Sequence, residues 1–452
     1  MEQTAVAQRP IFSPSALRQL IIPLILEQLL AMMVGLAATV MITRVGESAV
    51  SGVSLVDSLN NLIISILSAL CTGGAVVCAQ YLGRRDHPQA CSSARQLFYI
   101  ALLFSSVLGA VLLVAPSFFV HAIFGSVDAA VSKSATIYLT FSALSYPFLA
   151  IYNACAALFR SMGNSRVSLL ASLIMNIVNV AVNAILIYGC NLGVTGAGVA
   201  TLLSRVVAAV IMLLLIRNQH NPIYLKNLWR VSFNRPLVRS ILSVGVPTGF
   251  ENGLFNFGKL LVQTLIASLG TSAIAANAIL GSISNIAIVP GLGMSLAVIT
   301  VFGQCIGAND YVQAVAYLKK LILITILTMA AVNVPLFFLA RPIVGLFPIS
   351  EEAFDISVRV LPVLAVANIV FWPFSFAFPN ALRAAGDARF TMIVSASTMW
   401  IVRFGLSYIF VRYLGLGVVG VWYCMIIDWI VRCLFFILRY RTGIWRTKCV
   451  IR

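Results

Sequence analysis

Charged residues are scarce in this sequence, and side chains that commonly bind metals or perform catalysis are scarcer still. Asp, Glu, Lys and Arg make up 10% of the 452 residues, three residues are histidine, and the nine cysteines form no CxxC pair. So few and such dispersed ligands predict neither a metal site nor a disulfide framework. The HExxH, GxSxG and aspartate-rich prenyl-phosphate motifs are also absent. The sequence therefore predicts no enzymatic activity, no metal and no organic cofactor.

Long hydrophobic runs are abundant instead, since 61% of the residues are apolar. Twelve runs are long enough to cross a hydrocarbon layer about 30 Å thick, which takes about 20 helical residues. We expect helices, because the runs do not alternate and because lipid offers no partners to an exposed backbone. The sequence predicts an all-α integral membrane protein with twelve transmembrane helices. The predicted spans are 17–43, 53–80, 97–119, 136–159, 167–188, 198–216, 237–269, 273–303, 318–339, 358–382, 391–413 and 418–438.

The two halves of the sequence repeat each other. PLILE at 23–27 matches PTGFE at 247–251, a shift of 224 residues, and the same shift places AQYLGRRD on GQCIGAND at 303–310. Further along the register drifts by a residue or two, where LFRSMGNSR at 158–166 echoes ALRAAGDAR at 381–389. Duplicated helical halves that bury ionisable groups are typical of secondary transporters, whose substrate site lies between the halves.

Basic residues mark the organisation of the chain. The net charge is +17, and most of the 30 Lys and Arg fall in the termini and in loops on the same side of the predicted helices. By the positive-inside rule, both termini are predicted to be cytoplasmic, in a multi-pass protein of the cell (inner) membrane. We therefore interpret the positive charge as a signal that sets the orientation of the protein in the lipid bilayer. It does not indicate a nucleic-acid partner. The predicted divisions are an N-terminal six-helix bundle at 1–216, a linker at 217–236 and a C-terminal six-helix bundle at 237–452.

Two acids in the predicted helices are candidates for ion coupling. An ionised group deep in a bilayer costs about 2.5 to 3.5 kcal/mol on insertion scales, so Glu27 and Glu251 are functional candidates. A buried carboxylate without a fixed cation exchanges a proton readily, and a ring of oxygens around it could instead hold sodium. The alternative is that both acids only form hydrogen bonds with neighbouring helices. Pro23 and Pro247 precede them and are predicted hinges, because proline removes a helical hydrogen bond.

Other polar and aromatic residues are candidates for the wall of a substrate cavity. Two helices carry polar stripes at helical spacing, which predicts that the stripes face a cavity or another helix rather than lipid. Lys259 requires a carboxylate partner at this depth, such as Glu251 or Asp428. Aromatic residues near Pro373 could bind flat or cationic molecules by stacking. The candidate cavity residues are Asn252, Asn256, Lys259, Asn176, Asn179, Asn183, Trp372 and Phe374.

The repeated motifs resemble those of the multidrug and toxic compound extrusion (MATE) family. The resemblance rests on AQYLGRRD and GQCIGAND after helices 2 and 8 and on SMGNSR and AAGDAR after helices 4 and 10. It implies two six-helix bundles around a central cavity that opens alternately to the two membrane faces. Glu251 matches the acidic position of helix 7 that many members use for cation coupling, and Asn179 and Asn183 match a polar network on helix 5. The sequence departs from the family at Ala38, where members commonly carry an aspartate before a threonine.

The resemblance implies a secondary active multidrug efflux antiporter. It would act as a monomer and export small molecules, organic cations or amphipathic compounds, in exchange for H⁺ or Na⁺. The alternative is a flippase of related two-bundle architecture for a lipid-linked precursor. A flippase would favour a strongly cationic cavity, whereas only four basic residues lie inside the membrane, away from the ends of the predicted helices: Arg205, Lys259, Arg403 and Arg432. A channel is less consistent with duplicated, proline-containing helices. An intramembrane enzyme is disfavoured because the sequence lacks the catalytic motifs named above.

Overall fold

The structure, a computed structural model, describes residues 10–125, 128–226, 228 and 232–451, and this part of the chain is helical without strands. The remaining residues of the predicted halves and linker lie outside the described part: 1–9, 126, 127, 227, 229–231 and 452. The first half contains α1 Pro14–Thr43, α2 Glu47–Gly83, α3 His87–Val114, α4 Pro116–Phe124, α5 Ala129–Ser161, α6 Ser165–Ala184 and α7 Gly193–Ile216. The second half contains α8 Arg235–Ala267, α9 Thr271–Ala287, α10 Val289–Gly307, α11 Tyr311–Phe338, α12 Ala340–Val344, α13 Glu351–Val370, α14 Pro379–Ala384, α15 Ala388–Thr398, α16 Ser407–Arg412 and α17 Gly417–Arg441.

The predicted membrane architecture is confirmed. Eleven helical segments of the described residues are long and apolar enough to cross a membrane. The twelfth is α8, which has 33 residues but carries the predicted polar stripe and is therefore less hydrophobic. These helices form the two six-helix bundles. The short helices α4 and α12 were not predicted, and each follows the third long helix of its half.

Several predicted spans are continuous in the sequence but interrupted in the structure. Turns of π-helix occur at Ile185–Gly189, Pro373–Ala377 and Met399–Leu406. The span predicted at 273–303 divides at Ile288, where α9 ends and α10 begins. Hydrophobicity does not distinguish these interruptions from regular helix, because both bury the same apolar side chains. By contrast, α1 and α8 remain continuous through Pro23 and Pro247, whose hinge roles stay predictions.

The repeated motif after α2 and α10 forms a tight turn that begins the next helix. Asp86 accepts a hydrogen bond from the Gln89 backbone N–H at 3.1 Å, and Asp310 accepts one from Gln313 at 2.9 Å. These side chains satisfy backbone donors that have no partner within the first helical turn. The motif therefore has a structural role in both halves.

The halves meet closely on the side of the molecule that carries both termini, which we call the terminal side. A Cβ atom on Gly83 would lie 1.9 Å from the Gln304 carbonyl oxygen, and one on Gly307 would lie 1.8 Å from the Gln80 carbonyl oxygen. Gln80 Nε2 donates to the Ala384 carbonyl at 2.7 Å, and Gln304 Nε2 donates to the Ser161 carbonyl at 2.7 Å. Each half thus supplies a glutamine and a glycine to a reciprocal interlock with the other half.

The C-terminal tail reinforces this interlock. Trp445 is buried, with its ring centroid 5.3 Å from Phe302 and 5.2 Å from Tyr440. Beyond it, the backbone N–H groups of Val450 and Ile451 donate to Gln80 Oε1 at 3.2 and 3.3 Å. The tail of the second half therefore fastens onto α2 of the first half. Its contacts favour the conformation in which the terminal side is closed.

Candidate functional site

Two buried glutamates occupy equivalent places in the two halves. Glu27 lies in α1 and Glu251 in α8, and each residue is 6% exposed. Each carboxylate pairs with an arginine of its own half. Glu27 Oε1 lies 3.3 Å from Arg160 Nη1, and Glu251 Oε1 lies 2.6 Å from Arg383 Nη2. Duplication has therefore preserved an ion pair, and not only an acid.

The two ion pairs differ in their other contacts. Glu27 Oε2 accepts a hydrogen bond from Ser168 Oγ at 2.8 Å. Glu251 Oε2 is buried and has no hydrogen-bond partner among the described residues. Arg383 Nη1 donates to Asn380 Oδ1 at 2.6 Å. The second oxygen of Glu251 is therefore unsatisfied within the described residues, whereas both oxygens of Glu27 have partners.

The arginine partners correct the expectation that these carboxylates lack a fixed cation. Arg160 and Arg383 lie in the repeated LFRSMGNSR and ALRAAGDAR motifs, which sequence reasoning treated as basic loops on the terminal side. The signal that could have identified them is their duplication beside a duplicated acid. In this conformation each glutamate is therefore neutralised by an arginine of its own half.

A cavity of about 510 Å³ lies entirely within the second half. On α8 it contacts residues after Glu251, and on α17 it contacts residues of the helix's first part. Since α8 runs away from the terminal side and α17 runs toward it, the cavity lies in the part of the bundle opposite that side. Its aromatic wall includes Trp372 and Phe376, whose rings stack with centroids 5.2 Å apart.

Positive charge concentrates around one aromatic ring of this wall. Phe255 has Lys259 Nζ 6.0 Å, Arg403 Cζ 5.6 Å and Arg432 Cζ 5.4 Å from its ring centroid. Lys259 and Arg403 line the cavity, whereas Arg432 is buried and binds Asp428 at 2.9 Å. Cation–π contact stabilises a cation beside a ring, but leaves its hydrogen-bonding capacity free.

The carboxylate partner expected for Lys259 is not found. Glu251 binds Arg383, Asp428 binds Arg432, and no ion pair of Lys259 occurs in the described ranges. Its side chain is exposed to the open volume of the cavity. The expectation of a carboxylate partner is therefore wrong within the described residues, because both candidate acids bind arginines.

The other candidate cavity residues fall in several places. Trp372 lines the cavity, whereas Phe374 lies outside its wall and packs against Phe378 at a centroid distance of 6.3 Å. Asn252 Nδ2 donates to the Ser65 carbonyl of the first half at 3.3 Å, and Asn256 Nδ2 donates to the Asn252 carbonyl at 2.9 Å. These two asparagines contribute contacts along and between helices.

The asparagines of α6 form hydrogen bonds within the first half. Asn183 donates to Asn179 at 3.0 Å, Asn179 donates to Ser204 of α7 at 3.3 Å, and Asn176 lies 3.4 Å from Ser172 Oγ. This series of hydrogen bonds links α6 to α7, as interhelical hydrogen bonds do in membrane proteins. The roles of the three asparagines in substrate binding stay predictions.

A second polar network in the first half was not recognised from the sequence. Asn60 Nδ2 donates to Asp57 Oδ1 at 3.2 Å, and Tyr146 donates to Asn60 Oδ1 at 2.7 Å. Nearby, Arg205 Nη1 donates to Ser145 Oγ at 2.6 Å. The sequence shows Asp57 and Asn60 three residues apart on α2, together with polar residues on α5 and α7. These positions do not predict which polar residues of different helices meet.

Comparison with known proteins identifies relatives over the whole length of the chain. The MatE family model matches residues 23–185 and again 247–409, so that each match begins at one of the two repeated prolines. The Bacillus subtilis protein named "Uncharacterized transporter YisQ" is 26% identical, with 99% of this chain and 98% of that protein covered. The Thermotoga maritima "Probable multidrug resistance protein NorM" is also 26% identical, over 96% of this chain and 93% of that protein.

Solved structures share the fold. A MOP superfamily transporter from Pyrococcus furiosus superposes with a TM-score of 0.88 at 23% identity, covering 95% of each chain. In that transporter the reverse polarity of the binding pocket suggests a different function. At this identity the likeness concerns the fold alone.

Proposed function

The chain belongs to the MatE family of membrane transporters, and from that premise we propose that it is a secondary active multidrug exporter. It exchanges amphipathic compounds or organic cations for H⁺ or Na⁺ by alternating access. The observation that carries this proposal is the duplicated, buried Glu–Arg pair, with Glu251 one helical turn before Phe255 of the cavity wall. The relatives named for multidrug resistance support the substrate class.

The proposed orientation places both termini in the cytoplasm, where most Lys and Arg of the loops also lie. The closed terminal side then faces the cytoplasm, and the cavity belongs to the outer part of the bundle. This arrangement corresponds to an outward-facing state. Transport requires the interlock between Gln80, Gln304 and their carbonyl partners to open toward the cytoplasm.

The ion pairs are well placed to control that interlock. Arg383 immediately precedes Ala384, whose carbonyl accepts from Gln80, and Arg160 immediately precedes Ser161, whose carbonyl accepts from Gln304. In our proposal a proton or sodium ion binds Glu251 and weakens its hold on Arg383. The adjacent carbonyl then moves with the released arginine, and the halves separate on the cytoplasmic side.

The coupling role is tested by the substitution Glu251→Gln. We expect this variant to lose export driven by an imposed gradient, because an amide does not gain or lose a proton and binds sodium weakly. Substrate binding should remain measurable. The assay is transport in proteoliposomes with a proton or a sodium gradient imposed separately, and it also identifies the coupling ion in the unmodified protein.

A matched control is Glu351→Gln, which removes an exposed acid from the first turn of α13. We expect its export to equal that of the unmodified protein. Undiminished gradient-driven export by Glu251→Gln would remove Glu251 from the coupling mechanism.

A lipid-linked precursor flippase is the second candidate function. The cationic wall formed by Lys259 and Arg403 favours it, since phosphate groups bind such residues. Against it, this wall carries two cations beside extensive aromatic surface, which suits a compact amphipathic molecule better than a pyrophosphate with a long lipid chain.

A further inference from the structure

Among the described residues, the wall of the cavity contains cations but no acids. Lys259 and Arg403 are the charged residues among those that line it in the described part of the chain. An organic cation entering this cavity would meet like charge without a carboxylate to bind it, and like charges at short range repel strongly where the dielectric is low. The composition of the wall therefore disfavours a cationic molecule at this position.

Arg403 has hydrogen-bonding capacity that the protein does not use. Its Nε is buried without a partner, and among the described residues its guanidinium makes no ion pair. The neighbouring acid, Asp428, is bound to Arg432 at 2.9 Å, and Arg432 also donates to the Ser395 carbonyl at 3.1 Å. Because Arg403 makes no ion pair among the described residues and its buried Nε–H lacks an acceptor, an anionic ligand at this guanidinium would supply a missing interaction.

Other donors on the same wall also lack acceptors. The indole Nε1 atoms of Trp422 and Trp429 are buried without a hydrogen-bond partner in the described residues. Tryptophan can only donate, and buried donors ordinarily find acceptors. Because both nitrogens are buried, they reach an acceptor on a bound molecule only if the side chains move. Unsatisfied donors and unpaired cations thus point to the same ligand chemistry.

The remaining wall is suited to a flat apolar body. Trp372 and Phe376 stack, and Phe376 contacts Trp429 edge-on with centroids 5.8 Å apart. At about 510 Å³, the cavity has the volume of sites that hold drug-sized molecules. Aromatic walls of this kind bind planar rings by offset stacking and edge contacts.

We propose that this cavity binds substrates that carry an anionic group, such as a carboxylate or sulfonate, on an aromatic body. The anionic group lies between Lys259 and Arg403, and the ring lies against Trp372 and Phe376. This inference rests on the proposed export function and narrows its substrate class from organic cations or amphipaths to aromatic anions.

The site belongs to the second half alone. At the shift of 224 residues, Lys259 corresponds to Gly35 and Phe255 to Ala31, so the first half lacks both the cation and the ring. The chemistry of the cavity is therefore not a consequence of the duplicated framework. It distinguishes one bundle from the other.

The test compares three naphthyl compounds that share one ring system: 2-naphthoate, 2-naphthylmethanol and 2-naphthylmethylammonium. Binding to purified protein is measured by isothermal titration without any ion gradient. We expect naphthoate to bind at least tenfold more tightly than the ammonium compound, with the alcohol between them. Tighter binding of the ammonium compound would overturn the proposal.

Variants locate the binding site. Lys259→Gln and Arg403→Gln should each weaken naphthoate binding at least tenfold while leaving the alcohol within about twofold, since a paired anion loses one charge-assisted contact. Lys133→Gln removes an exposed lysine outside the cavity and should change neither. Equal naphthoate affinity in Lys259→Gln, Arg403→Gln and the unmodified protein would contradict the assignment, provided that the variants elute as monodisperse protein.

A further experiment distinguishes aromatic anions from lipid-linked phosphates as substrates. If a polyprenyl phosphate in nanodiscs binds at this site and naphthoate does not, the proposal is overturned in favour of a lipid-linked phosphate. Because these measurements use no gradient, they remain independent of the Glu251→Gln assay. Naphthoate binding without gradient-driven export would contradict the proposed function and leave this inference standing.

Discussion

The two halves of the protein are nearly equivalent on the terminal side and different on the opposite side. On the terminal side each half contributes a buried Glu–Arg pair, a glutamine that binds a carbonyl of the other half, and a glycine at the crossing. On the opposite side the first half has a network of Asp57, Asn60 and Tyr146, whereas the second has the cationic aromatic cavity.

This difference separates two requirements of a transporter. Opening and closing involves both halves equally, so the elements at their interface are constrained in both. Substrate binding needs only one surface of suitable chemistry, so the parts of the bundles opposite the terminal side are free to diverge. Substitutions at equivalent positions of the two halves should therefore have different effects wherever the contacts of those positions differ.

The largest expected difference concerns the two arginines. Arg383→Leu leaves Glu251 without a partner, and loss of one member of a buried pair costs about 3–5 kcal/mol. Arg160→Leu should cost less, because Ser168 still donates to Glu27. Apparent melting temperature in detergent measures both, with the exposed Arg412→Leu as control. Equal destabilisation by Arg383→Leu and Arg160→Leu would show that the two ion pairs do not differ in their contribution to stability.

Substitutions of Gly83 and Gly307, where the two halves cross, should have similar effects on stability. Gly83→Ala and Gly307→Ala each place a methyl group on a carbonyl of the other half, and overpacking of this kind costs about 1–3 kcal/mol. Both variants should lower the apparent melting temperature and reduce transport. Gly35→Ala is the control, since nothing lies within 4 Å of its Cβ position. A loss confined to one of the crossing glycines would break the proposed equivalence.

Substitutions of Gln80 and Gln304 should differ by a smaller amount in their effect on stability. Each loses a cross-half hydrogen bond when changed to leucine, and a typical bond contributes about 1 kcal/mol. Gln80→Leu should destabilise more than Gln304→Leu, because Gln80 also accepts from Val450 and Ile451. The melting temperatures of the two variants, measured side by side, test this order. The reverse order would mean that the tail contacts contribute nothing.

The sequence predicted the architecture because the physical signals were local or repeated. Hydrophobic runs located the spans, and the duplicated PLILE and PTGFE placed both glutamates at equivalent depth. The ion pairs were missed because Arg160 is 133 residues from Glu27 and Arg383 is 132 residues from Glu251. Helix periodicity gives the face of a helix but not the residues that this face meets. The carboxylate partner predicted for Lys259 from its depth in the membrane was therefore wrong, since Glu251 binds Arg383 and Asp428 binds Arg432.

Our central claim is that ion binding at Glu251 opens the interlock on the terminal side. The most direct test places spin labels at Arg84 and Ala308, which are exposed at the ends of α2 and α10, after replacement of the nine native cysteines. The distance between the labels is measured by electron paramagnetic resonance as pH or sodium concentration is varied. We predict that the coupling ion lengthens this distance in the otherwise unmodified protein and has no effect in Glu251→Gln. An equal increase in both proteins would contradict the claim.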